Sequence, residues 1–226
     1  MGIDVGPIEV VDGLVFHIDA GNTRSYSGSG LTSYGLIGGI GATLVNGVGF
    51  SSINGGSLFF DGSNDYMPFN ISSYTNSIMT IELWANLRNF SLTMPFGFYE
   101  YDVLTYLGGM GFNTNNSDLY GISSSTVTSL GIANRWTHYI FEMRTDVSYT
   151  NNKIYINGNI QSLSNLIGSE NAAKRNFNDG IGRISGYNFN TSYAMPMNLG
   201  SFKIYNRALT TQEVFQNYNA TKGRYR

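Results

Sequence analysis

The sequence predicts an all-β fold, two antiparallel sheets packed as a sandwich, with one short helix near the C-terminal end. Three observations predict it. Short apolar runs recur between Gly- and Asn-containing joints, which is the spacing of a sandwich or barrel. Only 12% of the 226 residues are charged, so Asn, Ser, Thr, Gly and Tyr must carry the polar surface, a composition of strands and loops. Two of the runs alternate apolar and polar residues with a period of two. The length fits one all-β unit, and 42% apolar with 14% aromatic residues is enough for a sizeable core.

Taken in order, the runs occupy residues 14–18, 57–60, 79–87, 103–107, 136–144, 153–156 and 200–205. Met79, Ile81, Leu83, Ala85 and Leu87 alternate with Thr80, Glu82, Trp84, Asn86 and Arg88. Tyr139, Phe141 and Met143 alternate with His138, Ile140, Glu142 and Arg144, so each strand is expected to bury one face. Asn157-Gly158, between Ile154-Tyr155-Ile156 and Asn159-Ile160, supplies the positive φ angles of a type I′ turn and predicts a tight hairpin. Thr210-Thr211-Gln212-Glu213 is a capping box, and Val214, Phe215 and Tyr218 continue it as a helical stripe. The glycine-dense stretch 22–50 is read as an irregular surface connection. Its Gly39-Ile40-Gly41 leads into neither a helical run nor a Gly-Lys-Ser/Thr ending, so it is not a phosphate cradle. Residues 1–12 are expected to form an N-terminal extension or assembly arm, 13–220 the sandwich and 221–226 a basic tail.

A net charge of −2, with cations clustered only in Lys222-Gly223-Arg224-Tyr225-Arg226, gives no footprint for nucleic acid. There is no cysteine, hence no disulfide framework, zinc ribbon or thiol nucleophile. No run approaches the roughly 18 apolar residues of a membrane span, which speaks against membrane insertion. Met1-Gly2-Ile3-Asp4-Val5-Gly6-Pro7 has neither the cationic start nor the apolar stretch of a secretory signal. Delivery outside a cell is therefore expected through assembly into a particle released by lysis.

Five segments in order resemble the laminin-G-like branch of the concanavalin-A-like lectin/glucanase superfamily. They are Ser57-Leu58-Phe59-Phe60-Asp61-Gly62-Ser63-Asn64-Asp65-Tyr66, Met79-Thr80-Ile81-Glu82-Leu83-Trp84, Asn134-Arg135-Trp136-Thr137-His138, Lys153-Ile154-Tyr155-Ile156-Asn157-Gly158, and Phe202-Lys203-Ile204-Tyr205-Asn206-Arg207-Ala208-Leu209-Thr210. The resemblance covers residues 13–220 and implies a jelly-roll sandwich. A narrower one lies in Gly6-Pro7, Val11-Asp12-Gly13-Leu14-Val15-Phe16-His17-Ile18-Asp19-Ala20-Gly21-Asn22 and Ser25-Tyr26-Ser27-Gly28-Ser29-Gly30. This opening is similar to that of laminin-G-like structural proteins in tailed phages of aquatic bacteria, and it implies a place on the virion. Leu31-Thr32-Ser33-Tyr34-Gly35 departs from that pattern, which would have a Trp and an Asp-Leu-Ser-Gly stretch.

Glucanases of the superfamily set carboxylates on one strand face through Glu-x-Asp-x-x-Glu, one as nucleophile and another as acid/base. Here Glu100-Tyr101-Asp102 is the nearest approach, and Leu104 and Thr105 stand where the third carboxylate would be, so no catalytic residue is assigned. His17 and His138 are read as structural, since no Gly-x-Ser-x-Gly elbow accompanies them. Asp61, Asn64 and Asp65 offer oxygens of the kind calcium takes, but the preferred reading is that Asp61 and Asn64 hold the turn through side-chain-to-backbone bonds, and no cofactor is assigned. For sugar binding, rings stack on the apolar face of a pyranose and amides read hydroxyls. Tyr99, Tyr101, Tyr187, Asn188 and Tyr193 are the candidates. Sequons at Asn70, Asn89, Asn115, Asn190 and Asn219 are ascribed to the abundance of Asn, Ser and Thr. The expected protein is a non-enzymatic virion component, as capsid decoration or fibre or tail adhesin, partnered by copies of itself, other virion proteins and cell-surface glycans. The alternatives are a glycoside-active enzyme of the superfamily and a free lectin.

Overall fold

A computed structural model describes residues 8–72, 74–98, 100–115, 118–168, 176–187 and 192–225. In chain order the first strands are β1 (Leu14–Asp19), β2 (Thr32–Tyr34), β3 (Gly41–Thr43), β4 (Gly49–Ser51), β5 (Ser57–Phe60) and β6 (Met67–Asn70). The middle of the chain forms β7 (Ile78–Leu87), β8 (Thr93–Phe98), β9 (Asp102–Tyr106), β10 (Gly109–Asn115), β11 (Asp118–Ile122) and the helix α1 (Ser124–Leu130). There follow β12 (Trp136–Arg144), β13 (Lys153–Ile156), β14 (Asn159–Ile160), β15 (Ser164–Ile167), β16 (Ile181–Ile184), β17 (Met197–Tyr205) and α2 (Thr211–Thr221).

Two antiparallel sheets result. The first runs β14-β13-β12-β7-β17-β5-β4, and β17 divides its length between β5 on its first half and β1 on its second. The second runs β15-β11-β10-β9-β8-β16-β6, while β2 and β3 form a small ribbon. The period-two alternation decides which side chains meet between the layers. Met79, Ile81, Leu83, Ala85 and Leu87 of β7 all enter the core, as do Tyr139, Phe141 and Met143 of β12. Aromatic rings from both sheets interlock there: Phe202 of β17 lies 5.6 Å from Phe69 of β6 and 5.8 Å from Phe96 of β8.

The expected hairpin is present, with Asn157 at φ 50° and Gly158 at φ 83° between β13 and β14. So is the capping box, in which Glu213 N donates to Thr210 Oγ1 and Thr210 N donates to Glu213 Oε2. Other features depart from the sequence reading. A second helix, α1, is capped by Ser123, whose hydroxyl accepts from Thr126 N, and by Gly131 at φ 60°. Its seven residues bury Val127 alone, too little for a periodic signal. In α2, Val214 and Asn217 face inward and Phe215 is exposed, so the stripe is rotated from the one expected. The glycine-dense stretch is not wholly a surface connection, because Tyr26, Ala42 and Leu44 join the core.

β7 and β12 bury both faces, not one. Their outer face is covered by α2 and by residues 8–12, and it holds a second small core of Val10, Ile140, Tyr155, Tyr205, Leu209 and Val214. Beside it lie Glu82, Lys203, His138 and His17, all buried. Lys203 Nζ donates to Glu82 Oε1 at 2.8 Å and pairs with Glu9, while His138 Nε2 stands 3.2 Å from Glu82 Oε1. Asn217 of α2 donates to Glu82 Oε2 at 2.6 Å and accepts from Val10 N at 2.7 Å, tying helix, sheet and N-terminal segment together. Arg224 and Tyr225, expected in a basic tail, fold onto the same sheet. Arg224 pairs with Asp19 at 2.6 Å, and the Tyr225 ring stacks 4.6 Å from that of Trp84.

Burial, reinforced by the Lys203 charge, pulls the His17 imidazole down from 6.5 to about 4. The unfolded chain therefore binds a proton that the folded chain refuses. Stability from this group is complete above about pH 6.5 and falls as the pH drops towards 4, by on the order of 2–3 kcal/mol. Urea unfolding of wild type and His17→Gln at pH 7.0, 5.5 and 4.5 measures it. The difference between the two proteins should shrink or reverse on acidification, and parallel pH profiles would refute the assignment.

Candidate binding cleft

The outer face of the second sheet is built by the residues that alternate with its core positions. On β9, Val103 and Thr105 point inward, so Asp102, Leu104 and Tyr106 point out. On β10, Met110 and Phe112 enter the core, leaving Gly109, Gly111 and Asn113 outside, and on β11 Leu119 and Gly121 are outside. The register sets Leu104, Gly111 and Gly121 in one row across three strands and Asp102, Asn113, Leu119 and Ile167 in the next. Gly111 faces Gly121 so closely that a Cβ on Gly121 would lie 2.4 Å from the Gly111 Cα. Neither glycine carries a side chain, so the outer face between β10 and β11 is bare at that point. A cleft of about 270 Å3 lies over this part of the sheet, lined by Leu92, Met94, Leu104, Asn113, Leu119 and Ile167, with Tyr106, Asp118 and Tyr193 completing the wall.

Polar groups are fixed around it. Asn113 Nδ2 donates to Asp102 Oδ2 at 3.0 Å, which orients the amide. Met94 N donates to Tyr193 O at 2.8 Å, so residues 193–194 run beside β8 and carry the Tyr193 ring to the cleft. Tyr187 packs over Gly97, where a Cβ would come within 2.8 Å of its own, and its ring lies 5.6 Å from that of Tyr193. Arg183 follows on β16, its guanidinium 3.4 Å from the centre of the Tyr66 ring and 3.5 Å from Tyr187 O. Burial lowers the pKa of that guanidinium, and the facing Tyr66 opposes the shift.

Of the five residues expected from sequence to bind sugar, the structure brings Tyr187 and Tyr193 together beside the cleft. Tyr99 and Asn188 lie outside the described residues. Tyr101 is a correction: it is 1% exposed, its ring stacks on Phe177 at 5.3 Å, and its hydroxyl donates to Arg144 O at 3.1 Å. The cause is phase, since Tyr101 is two residues before Val103 and shares its inward side. The same alternation was the signal available for Asp102, Leu104 and Tyr106. Asn113, Leu119 and Ile167 had none, because only strand order brings them to the cleft.

The carboxylates of Glu100 and Asp102 do not converge: Glu100 is exposed and lines a separate polar hollow with Tyr74, Asn76 and Thr145. The turn is held by the Asp61 and Asp65 carboxylates, while Asn64 takes part through its backbone oxygen. Asp61 N donates to Asp65 Oδ2 at 3.0 Å, Ser63 N donates to Asp61 Oδ1 at 2.7 Å, and Asn64 O accepts from Asn46 Nδ2. Burial pushes the Asp65 carboxyl up from its ordinary value. Among the described residues no group of three or more His, Cys, Asp or Glu side chains converges as a metal site, and no helix is long and apolar enough to cross a membrane.

A laminin-G-type model, described as the concanavalin A-like lectin/glucanases superfamily, matches residues 61–215, which takes in the second sheet, the first sheet without β1, β4 and β5, and the whole cleft. The chain belongs to this superfamily. No curated protein matches the sequence. Solved structures match across nearly its whole length. The binding domain of Paraclostridial Mosquitocidal Protein 1 superposes with TM-score 0.65 at 17% identity, over 92% of this chain and 52% of that one. The botulinum neurotoxin serotype D ligand binding domain in complex with N-acetylneuraminic acid gives 0.61 at 13%, over 92% and 50%. The receptor binding domain of the botulinum neurotoxin C/D mosaic serotype gives 0.63 at 13%, over 91% and 51%. At these identities the likeness is one of fold, and the lectin-like chain spans about half the length of each.

Proposed function

We propose that this superfamily member is a non-enzymatic glycan-binding module, displayed on a phage virion as capsid decoration or as a fibre or tail adhesin. The observation that carries the binding reading is the cleft itself. It is a hollow on the outer face of the second sheet, with the oriented Asn113 amide and the Asp118 carboxylate to read hydroxyls and the Tyr106 and Tyr193 rings to cover a sugar face. The structural neighbours agree in kind, being named binding domains, one of them in complex with a sialic acid. The virion reading is supported by the likeness of residues 6–30 to the opening of phage structural proteins. Its partners are then copies of this chain, other virion proteins and glycans of a cell surface.

A glycan array with the purified protein should give a small set of related hits, and Tyr193→Ala should weaken them at least tenfold without lowering the unfolding midpoint. No hit on the array, or hits that Tyr193→Ala leaves intact, would remove the cleft from consideration. Immunogold labelling of purified particles should decorate the virion; binding without particle labelling would make the chain a free lectin. Incubation with mixed polysaccharides should release no reducing sugar, and turnover would identify a glycoside-active enzyme instead.

A further inference from the structure

The cleft is more aliphatic than sugar hydroxyls favour. Leu92, Met94, Leu104, Leu119 and Ile167 face it, and Asn113, Asp118 and the two tyrosines supply the polar edge. A plain hexose pressed into this lining would set some of its hydroxyls against the aliphatic side chains, where they lose water without gaining a partner, which is unfavourable. A sugar whose bulk includes a methyl group would fill the same space favourably. The polar edge narrows the choice. Asn113 Nδ2 spends one N–H on Asp102 and has a second to donate, and a carboxylate such as Asp118 accepts several hydrogen bonds. A donor and an acceptor beside an aliphatic surface match an acetamido group, which has one carbonyl, one N–H and one methyl. Charge narrows it again: among the described residues lining the cleft the charged side chain is Asp118, and a carboxylated sugar meets repulsion from it.

We infer that the cleft selects a neutral N-acetylhexosamine unit. The inference rests on the glycan-binding reading above and deepens it. Calorimetric or NMR titration of the full chain with the methyl glycosides of N-acetylglucosamine, N-acetylgalactosamine, glucose and galactose, and with N-acetylneuraminic acid, tests it. One N-acetylhexosaminide should bind at least tenfold more tightly than its hexoside, about the gain from one buried methyl and one hydrogen bond. N-acetylneuraminic acid should bind more weakly than that N-acetylhexosaminide. Ile167→Thr, on the edge strand β15, should reduce the preference for the acetylated sugar. Equal affinity for acetylated and plain sugars, or tighter binding of the sialic acid, would overturn the selectivity while leaving a glycan module. An absence of binding to every sugar would overturn the glycan reading and this inference with it.

Discussion

Lys203→Met is expected to lose about 3–5 kcal/mol of stability, because it leaves the carboxylate of Glu82 buried without its cation. Glu82 is fully buried, and burial alone would raise its pKa. The Lys203 charge, with His138 alongside, more than offsets this and holds the carboxyl well below its ordinary 4.5. Once Lys203 is gone, the remaining partners are Asn217 and the His138 ring. The double variant Glu82→Gln/Lys203→Met should recover most of the loss, since Gln keeps an oxygen for Asn217 and carries no charge to desolvate. Urea unfolding of the four proteins at pH 7 gives the coupling energy directly. A loss below about 1 kcal/mol in Lys203→Met, or a double variant no better than the single, would show that the pair is not the keystone of this layer.

The sign of the pH dependence gives a second reading of the same prediction. In the wild type the depressed Glu82 pKa contributes stability that is present above about pH 4.5 and is lost as the pH falls towards the folded value. In Lys203→Met the folded pKa is raised instead, so the carboxyl gains from protonation as the solution is acidified. The stability gap between the two proteins should therefore narrow below pH 5. Because Asn217 joins Glu82 to Val10, the variant should also loosen α2 and the N-terminal segment, seen as faster amide exchange at both.

What could be read from the sequence follows from the range over which each signal acts. Period-two alternation is local, and it placed the inward residues of β7 and β12 as the structure has them. The Asn157-Gly158 turn and the Thr210 capping box depend on a few neighbouring residues and were equally legible. The outer face of β7 reads as polar, yet Glu82 and Thr80 are buried, because the groups that satisfy them come from positions 203, 207 and 217. A single strand carries no mark of such distant partners. The cleft fails for the same reason: Asn113, Leu119 and Ile167 come from three strands and meet only when register sets them in one row. Tyr101 differs, since its phase with Val103 and Thr105 is a local signal and points inward. Tyr187 and Tyr193 were reachable by residue type, and a fold that folds their segments back over β8 makes the choice physical.

Phe202→Ala should cost about 3–5 kcal/mol, the range for an aromatic side chain lost from a packed core. Phe202 is fully buried on β17 and touches rings from both layers: Phe16 at 6.3 Å on its own sheet, and Phe69 and Phe96 on the facing one. Removing it takes away both its own transfer energy and the contacts of three rings, and a core closed by strands on two sides can collapse only partly into the space. Phe202→Leu, which fills most of the volume, should lose less than half as much. Urea unfolding monitored by near-ultraviolet circular dichroism measures both, and a cost below about 1 kcal/mol for the alanine variant would mean that the two sheets do not share this core. Phe96 precedes Gly97 on β8, so the cavity would open one residue from the position over which Tyr187 packs. If the cleft keeps its shape, a saturating glycan adds the same stabilisation to Phe202→Ala as to the wild type, because ligand linkage depends on affinity alone. A smaller increment in the variant would show that the aromatic core, through β8, sets the geometry of the binding face.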